Sequence, residues 1–206
     1  MRMRHPLNLS TLTRTTVATL LFALMPTANF AFAAPRQASN ELANVEVLII
    51  RHAERDGILD RLTSAGDARA KAYVHYFENL NLDGRPIHLT HLFAEKSVRT
   101  RHTLDPLSHD DGLPLDTRFA TPDYDKLADD LRTHSYGKEI LICWHHSSIP
   151  KLITALGGDT QILLPKGKWP QGTYDWIIDL RFHPSGKLSA SSQECVHEHL
   201  MPGDRQ

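Results

Sequence analysis

The stretch VEVLIIRHAE, residues 45–54, decides the reading of the chain. Its first six residues are mostly β-branched and then give way abruptly to charge. Continuous apolar runs of this kind form strands buried on both faces of a parallel sheet. Working outward, residues 87–94 (IHLTHLFA) and 140–144 (ILICW) read as a second and a third such strand. Helical patterns separate them. Thr63 or Ser64 can cap a helix that keeps its spacing to about residue 80, and residues 81–86 read as a loop. A second helix spans about 97–107. A third is expected from Thr121-Pro122-Asp123, a hydroxyl cap with proline and acid in the first turn, to about residue 133. Ser147, Ser148 and Pro150 open a fourth, which Gly157-Gly158 closes. Residues 174–182 and 188–196 look like late strands joined by the turn His183-Pro184-Ser185-Gly186. Strands that alternate with helices predict a three-layer α/β/α sandwich with a mostly parallel central sheet.

The chain has 206 residues, enough for one well-buried domain. Residues 1–33 read as a signal peptide. An Arg-bearing start precedes the apolar run 15–25 (TTVATLLFALM), then Pro26 and the small-x-small pattern Ala31-Phe32-Ala33. That run is too short to span a bilayer as a helix. Cleavage is expected after Ala33, since cutting one residue later would place Pro35 directly after the broken bond. A linker over 34–44, a domain over 45–200 and a tail over 201–206 complete the division. The expected location is periplasmic or secreted, with no stable membrane insertion after cleavage. Of 23 basic residues, Arg2, Arg4 and Arg14 lie in the leader, which leaves 20 against 24 acids and about −4 on the remainder. Such a balance argues against a nucleic-acid partner. Cys143 and Cys195 could pair in an oxidising compartment, or Cys143 could be a buried free thiol within its apolar run.

Ligands of such sheets bind beyond the carboxyl ends of the strands. Three clusters fall there: Arg51-His52-Ala53-Glu54, residues 95–103 (EKSVRTRHT), and Trp144-His145-His146-Ser147-Ser148. Two histidines and at least two arginines can converge on one rim. Arginine presents planar donors to phosphate oxygens, and a helix N-terminus adds oriented N–H groups. A largely neutral imidazole can attack phosphorus if its other nitrogen is fixed by a hydrogen bond.

In their order, these segments resemble the histidine phosphatase superfamily, whose fold is phosphoglycerate mutase-like. VLIIRHAE is similar to its strand-plus-RHG signature, with alanine in place of glycine. Leu62-Thr63-x-x-Gly66-x-x-x-Ala70 resembles its LTxxGxxxA helix start, and Arg99-Thr100-Arg101-His102-Thr103 its R-[AT]-x-Q-T segment. ILICWHHSSIPKLITALG resembles the block that carries its second histidine, and Tyr174-Asp175-Trp176 fits a late strand of bacterial members. The matches span residues 45–180. The resemblance implies that His52 is the nucleophile, that Arg51 and Arg99 clamp the phosphoryl oxygens, and that His145 stabilises the transferring group. Glu54 is implied as a substrate contact. A phosphohistidine is then hydrolysed by water, without metal or other cofactor. The RHAER start further resembles an exported branch containing lipopolysaccharide core heptose phosphatases.

Departures accompany the matches. Ala53 adds a methyl beside the nucleophile, Trp144 stands where glycine commonly precedes the second histidine, and Glu95 replaces a small hydroxyl residue. The proton donor to the leaving group is open among Glu54, Asp56 and Glu95. A small phosphorylated substrate is implied, and phosphatase is favoured over mutase because only about 45 residues separate Arg99 from His145, little room for a covering insertion. Competing readings are a zinc site at His197-Glu198-His199 aided by His145-His146, two H-x-[ST] elements at His88 and His145, and a non-catalytic phosphate- or phosphosugar-binding module on the same fold.

Overall fold

A computed structural model describes residues 40–204. The expected signal peptide, its cleavage point and most of the linker lie outside the described residues, as do residues 205 and 206. The elements run β1 (Glu46–Arg51), α1 (Ser64–Glu78), β2 (Asn81–Leu82), β3 (Arg85–Pro86), β4 (His91–Ala94), α2 (Val98–Asp111), β5 (Leu115–Asp116), α3 (Tyr124–Thr133), β6 (Glu139–Trp144), α4 (Ile149–Leu156), α5 (Thr160–Leu163), β7 (Trp176–Arg181) and β8 (Gln193–His197).

Six strands form one sheet in the order β5-β4-β6-β1-β7-β8. β5, β4, β6 and β1 are mutually parallel, whereas β7 and β8 are antiparallel additions. The apolar runs explain this centre: from Val47 to Arg51 every β1 residue is buried, as is every β6 residue from Ile140 to Trp144. Two apolar layers cover it. Val47, Ile49, Ile140, Ile142 and Trp144 pack with Leu127 and Leu131 of α3 and with Ile149 and Leu152 of α4. Leu48, Ile50, Leu141 and Cys143 pack with Tyr73 and Phe77 of α1 and with Leu104 and Leu107 of α2. The architecture is the expected α/β/α sandwich with a mostly parallel sheet.

Several local expectations change. Residues 81–86 form the small β2–β3 hairpin instead of a loop, and the second strand shortens to β4. Thr121-Pro122-Asp123 makes a turn that precedes α3, and the Asp123 carboxylate accepts from the Ala120 N–H at 2.9 Å instead of capping the helix. Neither Ser147 nor Ser148 caps α4 with its side chain. The late strands are shorter than expected, with a 3-10 turn at Ala190–Ser192 between them. Cys143 and Cys195 are both free. They lie on β6 and β8, three strand spacings of about 4.8 Å apart, far beyond disulfide reach. Residues 201–204 are tied to the domain, since Asp204 pairs with Arg69 of α1 at 2.5 Å.

Strand register positions the site. Arg51 pairs with Trp144 and Ala94 with Cys143, so β1 and β6 end level and β4 ends one residue short of them. The first residues beyond them, His52, Glu95 and His145, therefore share one edge.

Candidate active site

The His52 N–H donates to the Trp144 carbonyl at 3.3 Å, which extends the β1–β6 ladder by one step and fixes the His52 backbone. Its ring is wholly buried. Nδ1 lies 2.8 Å from the Ala53 carbonyl oxygen, which can only accept, so Nδ1 carries the proton. Nε2 is left with a lone pair and has no partner. Burial, reinforced by the charges of Arg51 and Arg99, pushes the His52 pKa down to about 3. The ring is neutral throughout the physiological range.

Arg51 is held rigidly. Its Nη1 donates to the Thr173 carbonyl at 3.1 Å, its Nη2 to the Tyr174 hydroxyl at 3.3 Å, and its guanidinium carbon lies 4.0 Å from the Tyr174 ring centre. Arg99, in the first turn of α2, donates through Nη1 to Asp60 Oδ1 at 2.8 Å. The other oxygen of Asp60 accepts from the Val98 N–H at 2.9 Å, so one carboxylate caps α2 and orients the arginine. In both arginines Nε is buried and has no partner. Two guanidiniums whose charges both act on His52, each with an unpartnered Nε, suit an oxyanion.

His145 stands with its ring centre 5.8 Å from that of His52. Its Nδ1 accepts from the Ser147 N–H at 3.3 Å, which leaves the proton on Nε2. The ring thus presents a donor at Nε2 where His52 presents a lone pair. Burial and Arg99 lower its pKa. His146, which the sequence offered only as a neighbour of His145, also faces His52, at 6.5 Å between ring centres. Its Nδ1 is buried without a partner, and burial with Arg51 takes its pKa down to about 4. No periodic signal marks His146, and only its proximity in space brings it to the site.

α2 is stitched by its threonines to the residues that follow β1 and β4. Thr103 Oγ1 accepts the Ala53 N–H at 2.9 Å and donates to the Arg99 carbonyl at 2.7 Å, while the Thr100 hydroxyl donates to the Glu95 carbonyl at 2.7 Å. The spacing Arg99-Thr100-x-x-Thr103 is what this stitching needs. The Ala53 methyl packs with Leu62 and Ala70, away from the pocket. Trp144 likewise turns into the core and donates Nε1–H to the Thr121 carbonyl at 3.2 Å, so it does not shape the pocket as its position had implied.

The acids separate clearly. Glu54 binds Arg69 with a shortest contact of 2.8 Å. Asp56 accepts from the N–H groups of Ile58 and Leu59 in an exposed loop. Glu95 is buried and accepts from the Thr121 hydroxyl at 2.6 Å. Glu95 acts on the site by raising the pKa of His145 with its charge, and the charge of Glu54 acts in the same sense on Arg51.

One ring nitrogen from each of His52, His145 and His146 lies within 4.8 Å of the others. Tetrahedral zinc, with bonds of about 2.0–2.1 Å, sets ligand nitrogens about 3.4 Å apart. Arg51 and Arg99 also depress the basicity of these rings, so the pocket favours an anion over a cation. The zinc reading at residues 197–199 fails on contacts. Glu198 binds Arg69 and Tyr73, and His197 stacks on Trp176 at 5.3 Å. His88 is exposed and precedes β4, at the opposite end of that strand from the site.

Fold and pocket together define an α/β domain with a histidine-and-arginine oxyanion site at the carboxyl edge of its sheet. No family model and no curated protein matches the chain in sequence. Among solved structures, a putative alpha-ribazole-5'-P phosphatase from Escherichia coli superposes with a TM-score of 0.51 at 14% identity, over 78% of this chain and 99% of that one. A phosphoglycerate mutase from Plasmodium falciparum gives 0.48 at 14% identity, over 78% and 96%. The protein histidine phosphatase SixA, complexed with tungstate, gives 0.45 at 15% identity, over 71% and 98%. The chain shares its fold with the putative alpha-ribazole-5'-P phosphatase.

Proposed function

We propose that this chain is a phosphomonoester hydrolase of the histidine phosphatase superfamily, working through a phosphohistidine on His52. The observation that carries the reading is an unpartnered imidazole lone pair on His52, with the charges of Arg51 and Arg99 acting on its ring. In the first step His52 Nε2 forms a bond to phosphorus as the bond to the leaving oxygen breaks, and that oxygen takes up a proton. In the second, water attacks the phosphorus, the P–N bond breaks, and inorganic phosphate leaves. Arg51, Arg99 and the Nε2–H of His145 neutralise charge on the equatorial oxygens in both steps, which is where catalysis of a loose phosphoryl transfer is concentrated. Positive charge comes from side chains, so the steps need no metal. The substrate is a small phosphorylated metabolite or envelope phosphosugar, heptose phosphates included. The sequence of residues 1–33, read as a leader, supports a periplasmic or secreted location for the mature protein.

The test is hydrolysis of p-nitrophenyl phosphate, with EDTA present, by wild type and His52→Ala. Wild-type turnover is expected, and removal of the nucleophile should lower it by at least about 10³-fold. Turnover that is lost to EDTA, or that survives in His52→Ala, contradicts the mechanism. Binding of phosphate without turnover in wild type would favour the binding-module reading.

A further inference from the structure

A cavity of about 270 Å³ is lined by residues that include Glu54, Arg69, Thr173, Tyr174, Asp175 and Asp204. It shares its wall with the active site. Thr173 and Tyr174 are the two residues that hold Arg51, the Tyr174 ring centre lies 6.2 Å from that of His52, and Glu54 follows His52 by two residues. The chemistry of the two spaces is opposite. The first is lined by guanidinium and imidazole donors. The second presents three carboxylates against one guanidinium.

That guanidinium is fully engaged elsewhere. Arg69 donates Nε and Nη2 to Glu54, Nη1 to Glu198 at 3.1 Å, and Nη1 and Nη2 to Asp204 at 3.2 and 2.5 Å. Tyr73 completes this network with a hydroxyl bond to Glu198 at 3.0 Å. The network closes on itself and ties the C-terminal segment to α1, which is a structural role. Asp175 is left out of it. The residue is 3% exposed, its carboxylate receives no hydrogen bond, and its Oδ2 is buried without a partner. Its backbone is well fixed, because the carbonyl accepts from the Glu198 N–H at 2.7 Å. A buried carboxylate with no donor is costly and calls for a cationic partner.

We infer that this cavity is the subsite for the leaving group of the substrate, and that Asp175 recognises an ammonium group on it. The substrate class is therefore a zwitterionic phosphomonoester, with its phosphate on Arg51, Arg99 and the histidines and its amine on Asp175. The small volume suits an aminoalcohol or a single amino sugar and not an extended chain. Opposite charges in adjoining spaces fix the direction in which the substrate lies, with the amine-bearing alcohol pointing away from His145. The inference deepens the phosphatase reading and rests on it.

The experiment compares kcat/KM for matched pairs that differ in the amine: O-phosphoethanolamine against propyl phosphate, and glucosamine 6-phosphate against glucose 6-phosphate. In wild type the amine of at least one pair is expected to be favoured by about tenfold or more, as for a buried group left unpaired by the wrong ligand. Asp175→Asn should bring that ratio below about threefold while the variant remains folded by circular dichroism. Two flat pairs in an enzyme that hydrolyses p-nitrophenyl phosphate through His52 would overturn the subsite and leave the phosphatase standing. A preference that persists in Asp175→Asn would overturn the assignment to Asp175. Absence of turnover on p-nitrophenyl phosphate and on all four esters would remove the phosphatase reading, and the subsite with it. The wild-type pairs decide the matter even if the variant does not fold.

Discussion

At His52, burial and two flanking guanidiniums disfavour a second proton, while the Ala53 carbonyl keeps the remaining one on Nδ1. The two effects act on different nitrogens and so do not compete. One sets the charge of the ring and the other chooses its tautomer, and together they aim a lone pair from Nε2. His145 is set the other way round, because the Ser147 N–H occupies its Nδ1 and leaves a donor at Nε2. Ring-nitrogen NMR of the free protein should therefore find His52 neutral, protonated at Nδ1, from pH 8 down to about 5, well below the ordinary midpoint of about 6.5. Titration of His52 near that ordinary value would show that the site is more open or less cationic than its geometry implies. The same experiment should report the opposite tautomer at His145.

On the scale of single elements, the start of α1 matters most to the site. Thr63 caps the helix by accepting the Gly66 N–H at 3.2 Å, while its own N–H donates to the Glu54 carbonyl at 2.9 Å. This brings the first turn of α1 against the chain that follows His52. A Cβ at position 66 would lie 2.1 Å from the Glu54 carbonyl oxygen, so only glycine permits the approach. Gly66→Ala should cost at least about 1–3 kcal/mol in chemical denaturation, as overpacking against backbone does, and should lower kcat/KM by displacing residues 52–54. Unchanged stability and activity would show that the approach is looser than 2.1 Å implies. Here the sequence was readable, because a cap and a glycine at fixed offset have local causes. The same holds for β1 and β6, whose unbroken apolar runs reflect burial on both faces. What escaped was set by pleat direction and distance. Nothing local shows that Trp144 turns into the core while His145, one residue on, turns to the site. Nor does it show that Arg69 reaches Glu198 and Asp204, 129 and 135 residues away, or that Asp60 reaches Arg99. Thr121-Pro122-Asp123 carried a helix-start signal, yet Asp123 turned back to Ala120 and the helix began one residue later.

Across the whole molecule, buried titratable groups oppose one another and set the pH range in which the fold is most stable. His52 and His146, lowered to about 3 and 4, refuse protons that their unfolded counterparts bind below about 6.5. Their burden makes stability fall as pH falls from about 6.5 toward 3–4. Two acids act in reverse. Burial, with the charge of Glu46, raises Asp179 to about 7, and burial raises Glu198 to about 8 despite Arg69 and Tyr73. The native state keeps protons on these groups that the unfolded chain has released above about 4, so stability falls as pH rises toward 7–8. Between about 4.5 and 6.5 the two pairs oppose each other, which predicts a shallower pH dependence there than in the acid arm below it or the alkaline arm above it. Thermal unfolding followed across pH 4–9 should show that shape. Glu198→Gln keeps a polar group beside Tyr73 but removes the proton that is lost, so its alkaline arm should be shallower than that of wild type. An alkaline arm of unchanged slope would mean that Glu198 is already ionised near neutrality, and that Arg69 outweighs burial at the junction between α1 and the C-terminal segment.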